Sequence, residues 1–155
     1  MVLMQRGEDG PMGKSPVVEY LKQVQKDKLL PHFMPFKHMQ DAAKTGGVGL
    51  KYSLDSFSIN ARVAPSIASA IQNIKGMRVM SLIDTMLGEE AFMTILAATP
   101  NSLISLNLSL NEHLTPMCYQ ELHKFDSLEH LTLERCNIGD DIIAILLNPD
   151  PLRLN

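Results

Sequence analysis

Two cysteines and five histidines are the side chains in this sequence best suited to nucleophilic or metal chemistry. His113, Cys118 and His123 are five residues apart, a spacing that does not bring all three to one face of a helix and matches no familiar zinc pattern. Cys136 and His130 have the residue types of a nucleophile and its general base. Cys136 occupies a position better suited to a buried turn residue that hydrogen-bonds the neighbouring backbone. We therefore predict no metal site and no catalytic residue.

A glycine-rich stretch, Lys44–Gly49, has some of the composition of a phosphate-binding loop. In such a loop the lysine and the Ser/Thr follow the glycines at the start of a helix, where they meet phosphate together with backbone N–H groups. Here they precede the glycines, and a strand-like segment follows. This order predicts a joint between two parts of the chain.

The acidic pairs Glu89-Glu90 and Asp140-Asp141 are explained by helix N-termini, where negative charge is favourable. We predict that the protein is not an enzyme and holds no cofactor.

Composition and charge indicate one globular domain of ordinary polarity. Of 155 residues, 45% are hydrophobic and 20% charged, and ten methionines with no tryptophan predict an aliphatic core. The net charge of −3 argues against nucleic acid as a partner. No apolar run is long enough for a membrane span, the N-terminus lacks a signal-peptide core, and two cysteines make no disulfide framework. We expect a cytoplasmic protein.

Charge is unevenly distributed along the chain. Residues 1–51 hold eight basic and five acidic side chains, a net +3, whereas residues 52–155 hold six basic and twelve acidic ones, a net −6. A basic end on an acidic body can orient a docking partner electrostatically. Ordinary solvated surface is the alternative interpretation.

The stretch from Ser127 to Leu147 has the pattern of a short strand followed by a short helix. Leu128, Leu131 and Leu133 alternate with polar residues, and an apolar run follows the acidic start at Asp140. One strand and one helix cannot bury an apolar side alone, so such a unit needs copies stacked beside it.

Three copies of this pattern precede it. Their first apolar anchors are Leu54, Met77 and Leu103, and with Leu128 they give steps of 23, 26 and 25 residues. These steps fall inside the roughly 20–29 residues of leucine-rich repeats. Helices are predicted to begin at Pro65, near Gly88, after Thr115 as N-cap, and with Asp140 as cap.

These units resemble the leucine-rich repeat family over about residues 50–155, and Cys136 followed by a helix is similar to its ribonuclease-inhibitor-like subclass. The resemblance implies an α/β fold: a short, curved solenoid with a parallel sheet on the concave side and helices on the convex side. It also implies binding of another protein as a scaffold or adaptor, with cytoskeletal or ciliary assemblies as one setting. The alternative that it implies is a regulator of a small GTPase acting in trans.

The predicted organisation has three parts: a lead-in at residues 1–14, a helical N-terminal cap at 15–49, and about four repeats plus the start of a fifth strand at 50–155. The cap begins with a helix at Ser15-Pro16 and contains a second short helix from about Phe36 to Lys44. The first helix has an apolar stripe formed by Val17, Tyr20, Leu21 and Val24.

The concave face is the first candidate binding surface. Residues between the leucines of each strand point away from the core and align in columns. The predicted columns are Ser56, Val79, Ser105 and His130; Ser58, Ser81, Asn107 and Thr132; and Asn60, Ile83, Ser109 and Glu134. Small hydroxyl and amide side chains let a partner backbone approach closely. Plain solvent-exposed strand residues are the alternative.

The C-terminal edge is the second candidate. Leu152, Arg153 and Leu154 repeat the strand alternation without a helix behind them. Repeat arrays need a cap over the last core layer, and an unpaired strand edge favours association. We therefore expect a contact here with a second copy or a larger complex.

Overall fold

The computed structural model of the chain describes residues 15–32, 37, 51–74 and 76–148. Over these residues the fold is mixed α/β, with four strands and five α-helices. The predicted lead-in, the glycine joint and the strand at 152–154 lie outside the described residues. So does the predicted helix at 36–44, apart from Lys37.

Helices and strands alternate along the described chain. In order they are α1 Pro16–Lys26, β1 Lys51–Ser53, α2 Ala64–Ile71, β2 Val79–Ser81, α3 Glu89–Ala98, β3 Ser105–Asn107, α4 Pro116–Gln120 with a 3₁₀ turn Glu121–Lys124, β4 His130–Thr132, and α5 Asp140–Leu147. The strands form one parallel sheet in the order β1-β2-β3-β4. Each parallel pair is joined through a helix, as a parallel crossover requires.

The register of the sheet repeats at nearly constant intervals. Tyr52, Met80, Leu106 and Leu131 are partners on neighbouring strands, at intervals of 28, 26 and 25 residues. The predicted register is right for β2 to β4 and wrong for β1, where Leu54 corresponds to Leu82 and not to Met77. The reason is that Leu54 is the second of two inward residues, Tyr52 and Leu54. The sequence pattern instead took Leu54 as the first apolar anchor of its unit.

The core lies between the sheet and the helices. The inward side chains of β2 and β3, together with the leucines that follow them, have no solvent exposure, and these are Met80, Leu82, Leu106 and Leu108. They pack with apolar residues of α2 and α3 such as Ile67, Ile71, Phe92 and Ile95. Burying one such side chain stabilises the fold by about 1.5–3 kcal/mol. The repeated strand and helix therefore share one continuous core.

The helices pack in chain order, each against the next. α1 begins at Pro16 as predicted and buries Tyr20 and Val24 against that core. Leu21, predicted to belong to the buried stripe, is exposed instead. The Tyr20 hydroxyl accepts a hydrogen bond from the His32 N–H at 3.0 Å, which fixes the chain that leaves α1.

The helix starts agree with the sequence to within a residue. Thr115 is the N-cap residue of α4, as predicted, but its side chain makes no cap bond, and its hydroxyl donates to the Glu89 carboxylate at 2.5 Å. One predicted cap is wrong, because Gly139 and not Asp140 is the N-cap of α5. The Thr115–Glu89 bond joins the starts of two successive helices, α3 and α4, so it stabilises the stack and not the helix end.

Candidate functional site

The open face of the sheet carries two registered rows of side chains on either side of the buried row. These rows are Lys51, Val79, Ser105 and His130, and Ser53, Ser81, Asn107 and Thr132. The six predicted contact residues on β2, β3 and β4 therefore lie in the rows expected for them.

The predicted contact residues of the first unit are not on this face. They lie in the loop after β1, and they are Ser56, Ser58 and Asn60. The Asn60 Oδ1 atom accepts from the N–H groups of Arg62 at 3.0 Å and Val63 at 3.1 Å, so this side chain organises the turn before α2. Lys51 and Ser53 occupy the corresponding positions of the open face. The error follows from the register of β1.

Asp55 accepts hydrogen bonds from several polar groups near the β1 side of this face. Its carboxylate accepts from Ser81 Oγ at 2.6 Å and from the Ile83 N–H at 2.9 Å. Burial opposes the charged form, but these bonds, with one from Ser53 and the nearby Lys51 charge, hold the pKa of Asp55 below its ordinary value. Ser81 is only 4% exposed, so its hydroxyl is covered by Asp55 and is not exposed on this face as the predicted column required.

Several polar side chains of the predicted columns form hydrogen bonds with nearby backbone groups. Ser109 is buried, and its hydroxyl accepts from the Glu134 N–H at 3.1 Å. The Asn107 Oδ1 atom accepts from the Ser109 N–H at 3.0 Å, while Ile83 is half-buried. Of the predicted contact residues on β2, β3 and β4, the two on β4 are therefore the exposed ones, His130 and Thr132.

A buried amide connects the loops behind the sheet. The Asn111 Oδ1 atom accepts from the N–H groups of Thr85 at 3.2 Å and Leu87 at 3.1 Å. Its Nδ2 atom donates to the carbonyl oxygens of Leu82 at 2.7 Å and Leu108 at 2.8 Å. One side chain thus bonds backbone groups of two successive units, and it is the acceptor for the Thr85 and Leu87 N–H groups, whose burial without a partner would be costly.

Cys136 holds the equivalent position one unit later, as the sequence predicts for a buried turn residue. Its Sγ atom donates to the Leu108 carbonyl oxygen at 3.1 Å. Burial raises the pKa of the Cys136 thiol, and hydrogen bonding to the Asn111 and Leu110 backbone opposes the rise only in part. His130 lies exposed on the open face. The two side chains do not have the contact that a nucleophile needs with its base.

The other histidine and cysteine side chains are in separate environments. His123 Nε2 lies 2.6 Å from the Ile145 carbonyl oxygen, Cys118 Sγ lies 3.5 Å from the Thr115 hydroxyl, and His113 is exposed. Within the described ranges, no three His, Cys, Asp or Glu side chains are grouped closely enough to hold a metal ion.

The fourth unit is much less covered than the third. In the third unit the leucines have no exposure, and they are Leu103, Leu106 and Leu108. Their counterparts in the fourth unit are only partly buried, and they are Leu128, Leu131 and Leu133. On α5, Ile143 is exposed and Leu147 is 80% exposed. Exposed aliphatic side chains on one end of a continuous core indicate a contact surface.

The outer edge of β4 has unpaired backbone donors. The N–H groups of Leu108 and Leu110 each donate to the fourth unit at 2.9 Å. The equivalent N–H groups of Leu133 and Arg135 have no acceptor among the described residues. We call this edge, with the half-buried leucines and the exposed Ile143 and Leu147, the open end.

The sequence placed the exposed edge at Leu152, Arg153 and Leu154, which lie outside the described residues, so that assignment stays a prediction. The structure locates an exposed edge on β4 and α5. Pattern alone could not find it, because the fourth unit has the same leucines as the third. Among the described strands, β3 has a neighbour on both sides and β4 on one, and this distinguishes the two units.

Compared with known proteins, the chain matches no family model and no curated sequence. In the part of the chain that the structure describes, every helix is too short or too polar to cross a membrane.

Proposed function

We propose that this chain is a leucine-rich repeat module that binds another protein without catalysis. It would act in the cytoplasm as a scaffold or adaptor, with cytoskeletal or ciliary assemblies as one setting. The observation that carries the proposal is the open end, where a strand edge and aliphatic side chains are exposed together.

Two features support the repeat assignment. Parallel βα units follow one another at intervals of 28, 26 and 25 residues, which lie within or near the 20–29 residues of this repeat class. Asn111 and Cys136 hold equivalent buried positions in successive loops and bond the backbone of the preceding unit. Curvature of the stack into a short solenoid with a concave sheet belongs to the proposal.

The contrast between the two ends of the sheet indicates where a partner binds. At the β1 end Tyr52, Leu54 and Ile59 are fully buried, and α1 packs over α2. At the β4 end Leu131 and Leu133 keep part of their surface in contact with solvent. Covering a leucine completely is worth about 1.5–3 kcal/mol, so a partner recovers a share of that for each half-buried side chain.

The mode of binding follows from the pairing pattern. Each strand of the sheet is parallel to its neighbours, and the N–H groups of Leu133 and Arg135 face outward in the direction of the next strand. An extended partner segment can pair with β4 in parallel and place alternating aliphatic side chains over the exposed layer. His130 and Thr132 lie beside this edge and would contact the same segment.

The decisive experiment compares exposed aliphatic side chains at the open end with one near the opposite end of the structure. A variant with Ile143→Glu and Leu147→Glu places charge on the open end, and Leu30→Glu is the matched control because Leu30 is 83% exposed near the other end. Affinity capture with quantitative mass spectrometry should show a partner that wild type and Leu30→Glu retain and the double variant loses. Equal retention, or equal loss, would show that the open end is not the binding surface.

Regulation of a small GTPase makes a different prediction. A regulator acting in trans accelerates phosphate release by its GTPase, whereas a scaffold leaves that rate unchanged. Single-turnover hydrolysis by any GTPase captured in the previous experiment separates the two functions. The binding proposal predicts the same rate with and without the protein.

A further inference from the structure

The outer side of α1 is both apolar and basic. With 100° between successive residues, the side opposite the buried Tyr20 and Val24 is one continuous strip along the helix. We call this strip the α1 outer face; its exposed residues are Val18, Leu21, Lys22, Gln25 and Lys26. The Lys22 ammonium also pairs with the Glu19 carboxylate at 3.0 Å, so Lys26 is the lysine of this strip without an ion pair among the described residues. Amphipathic helices of this kind dock apolar residues and lysines onto complementary surfaces.

Three further exposed apolar side chains follow β2 and β3, two of them in the loops and one in the first turn of α4. Met86 is 66% exposed, Met117 is 59% exposed, and Leu110 is exposed between them in sequence. The Thr115–Glu89 bond and the Asn111 contacts hold these two loops side by side. We call Met86, Leu110 and Met117 the methionine rim. Methionine is the side chain best suited to adaptable docking surfaces.

The two segments of the chain that carry the methionine rim are acidic. Residues 82–90 and 108–117, which carry the rim, contain four acidic side chains and no lysine or arginine, and the four are Asp84, Glu89, Glu90 and Glu112. All four are exposed, and none forms an ion pair with a described residue. Their mutual repulsion is reduced when a cationic surface binds.

We propose that the α1 outer face of one copy docks on the methionine rim of a second copy. Both surfaces pair exposed aliphatic or methionine side chains with charge, and the charges are opposite. Within one chain α1 is fixed on the core by Tyr20 and Val24, and the Glu19 carbonyl oxygen accepts from Ser69 Oγ at 3.3 Å. The rim lies on the second and third units, so the two surfaces meet between copies.

This contact is head to tail, because it joins two different surfaces of the same chain. Such an interface closes into a ring if the rotation between copies closes, and otherwise leaves a free α1 outer face and a free rim at the two ends, where association continues with concentration. An 11-residue helix is about 16 Å long, which makes the interface small and the association weak. The proposal goes beyond the binding function above, since it uses neither β4 nor α5.

Sedimentation velocity over a range of concentrations tests the contact. The wild-type chain should associate reversibly at low salt, and raising the salt from about 0.05 to 0.5 M should weaken association about tenfold or more because exposed charges are screened. Lys22→Glu with Lys26→Glu should prevent association, and so should Glu90→Lys with Glu112→Lys. Asp126→Lys with Glu129→Lys makes the same change in net charge as Glu90→Lys with Glu112→Lys, but elsewhere on the surface, and should leave association unchanged.

Mixing the two charge variants separates this contact from any other. Each variant alone carries the same sign of charge on both surfaces, so neither should associate. A mixture offers opposite charges at both contacts, unchanged face to unchanged rim and reversed face to reversed rim, and should restore association. A strictly monomeric wild type would overturn the proposal. So would association that both charge variants retain, and loss of that association in the Ile143→Glu, Leu147→Glu variant would assign it to the open end.

Discussion

Asn111 and Cys136 donate to the same atom, the carbonyl oxygen of Leu108, from 2.8 Å and 3.1 Å. Asn111 also reaches the Leu82 carbonyl oxygen at 2.7 Å, which is the contact of Cys136 repeated one unit earlier. Two different side chains therefore have the same structural role, because both satisfy the backbone where a strand leaves the sheet. This equivalence lets successive loops stack in spite of their different sequences.

Replacing the buried amide should be costly. Asn111→Ala leaves the Thr85 and Leu87 N–H groups without their acceptor inside the core, while the Leu82 carbonyl oxygen keeps its bond from the Thr85 hydroxyl at 3.0 Å. We expect the free energy of unfolding to fall by about 2–4 kcal/mol, measured by urea denaturation. Asn107→Ala is the control, because this half-exposed side chain makes one backbone bond and should cost under about 1 kcal/mol. Equal losses would contradict the role assigned to Asn111.

The Cys136 thiol should be unreactive in the folded protein. It is buried, donates to a carbonyl, and has a raised pKa, so little thiolate forms near neutral pH. In a Cys118→Ala background, labelling by a thiol reagent should follow the rate of unfolding and rise steeply with urea. Rapid labelling without urea would instead indicate an accessible nucleophile.

Asp55 should make stability depend on pH at the acid end. Its folded-state pKa lies below the ordinary value, so the carboxylate stabilises the fold at pH above that value and the contribution is lost as pH falls through the lower, folded-state pKa. Asp55→Asn should lower the free energy of unfolding by about 1–2 kcal/mol at pH 7 and flatten the decline in acid. Asp126→Asn, on an exposed side chain, is the control and should leave the acid decline as in wild type.

Leucine truncation should distinguish the closed layer from the open one. Leu108 has no exposure, and Leu108→Ala should cost about 2–5 kcal/mol because it leaves a cavity. Leu133 is its half-buried counterpart, and Leu133→Ala should cost only about 1–2 kcal/mol. Comparable losses in urea denaturation would mean that the fourth unit is covered as well as the third.

The sequence predicted the parts of the fold that depend on local pattern. The inward residues of β2, β3 and β4 follow the leucine alternation, and prolines or acidic residues at first turns located the helix starts. β1 was misplaced because Leu54, Phe57 and Ile59 imitate the strand spacing. The better signal was Tyr52-x-Leu54, which matches the inward pair of every other strand but begins with an aromatic residue.

The candidate surface was predicted less well, because exposure depends on contacts that are distant in sequence. Ser81 alternates like an outward residue, yet Asp55 from the neighbouring unit covers it and accepts its hydrogen bond. Leu131 and Leu133 follow the same pattern as Leu106 and Leu108, and it is the number of neighbouring strands among the described residues that separates the buried layer from the half-buried one. Pattern gives the direction of a side chain but not what covers it.

Amide hydrogen exchange at β4 is the most direct measurement of the open end. In the monomer, the Leu108 and Leu110 N–H groups should be protected, while those of Leu133 and Arg135 should exchange nearly as fast as in an unfolded chain. Binding of the captured partner should slow the Leu133 and Arg135 protons by at least about tenfold as a strand pairs with them. Protection of these two protons in the free monomer, or no change on binding, would contradict strand addition at β4.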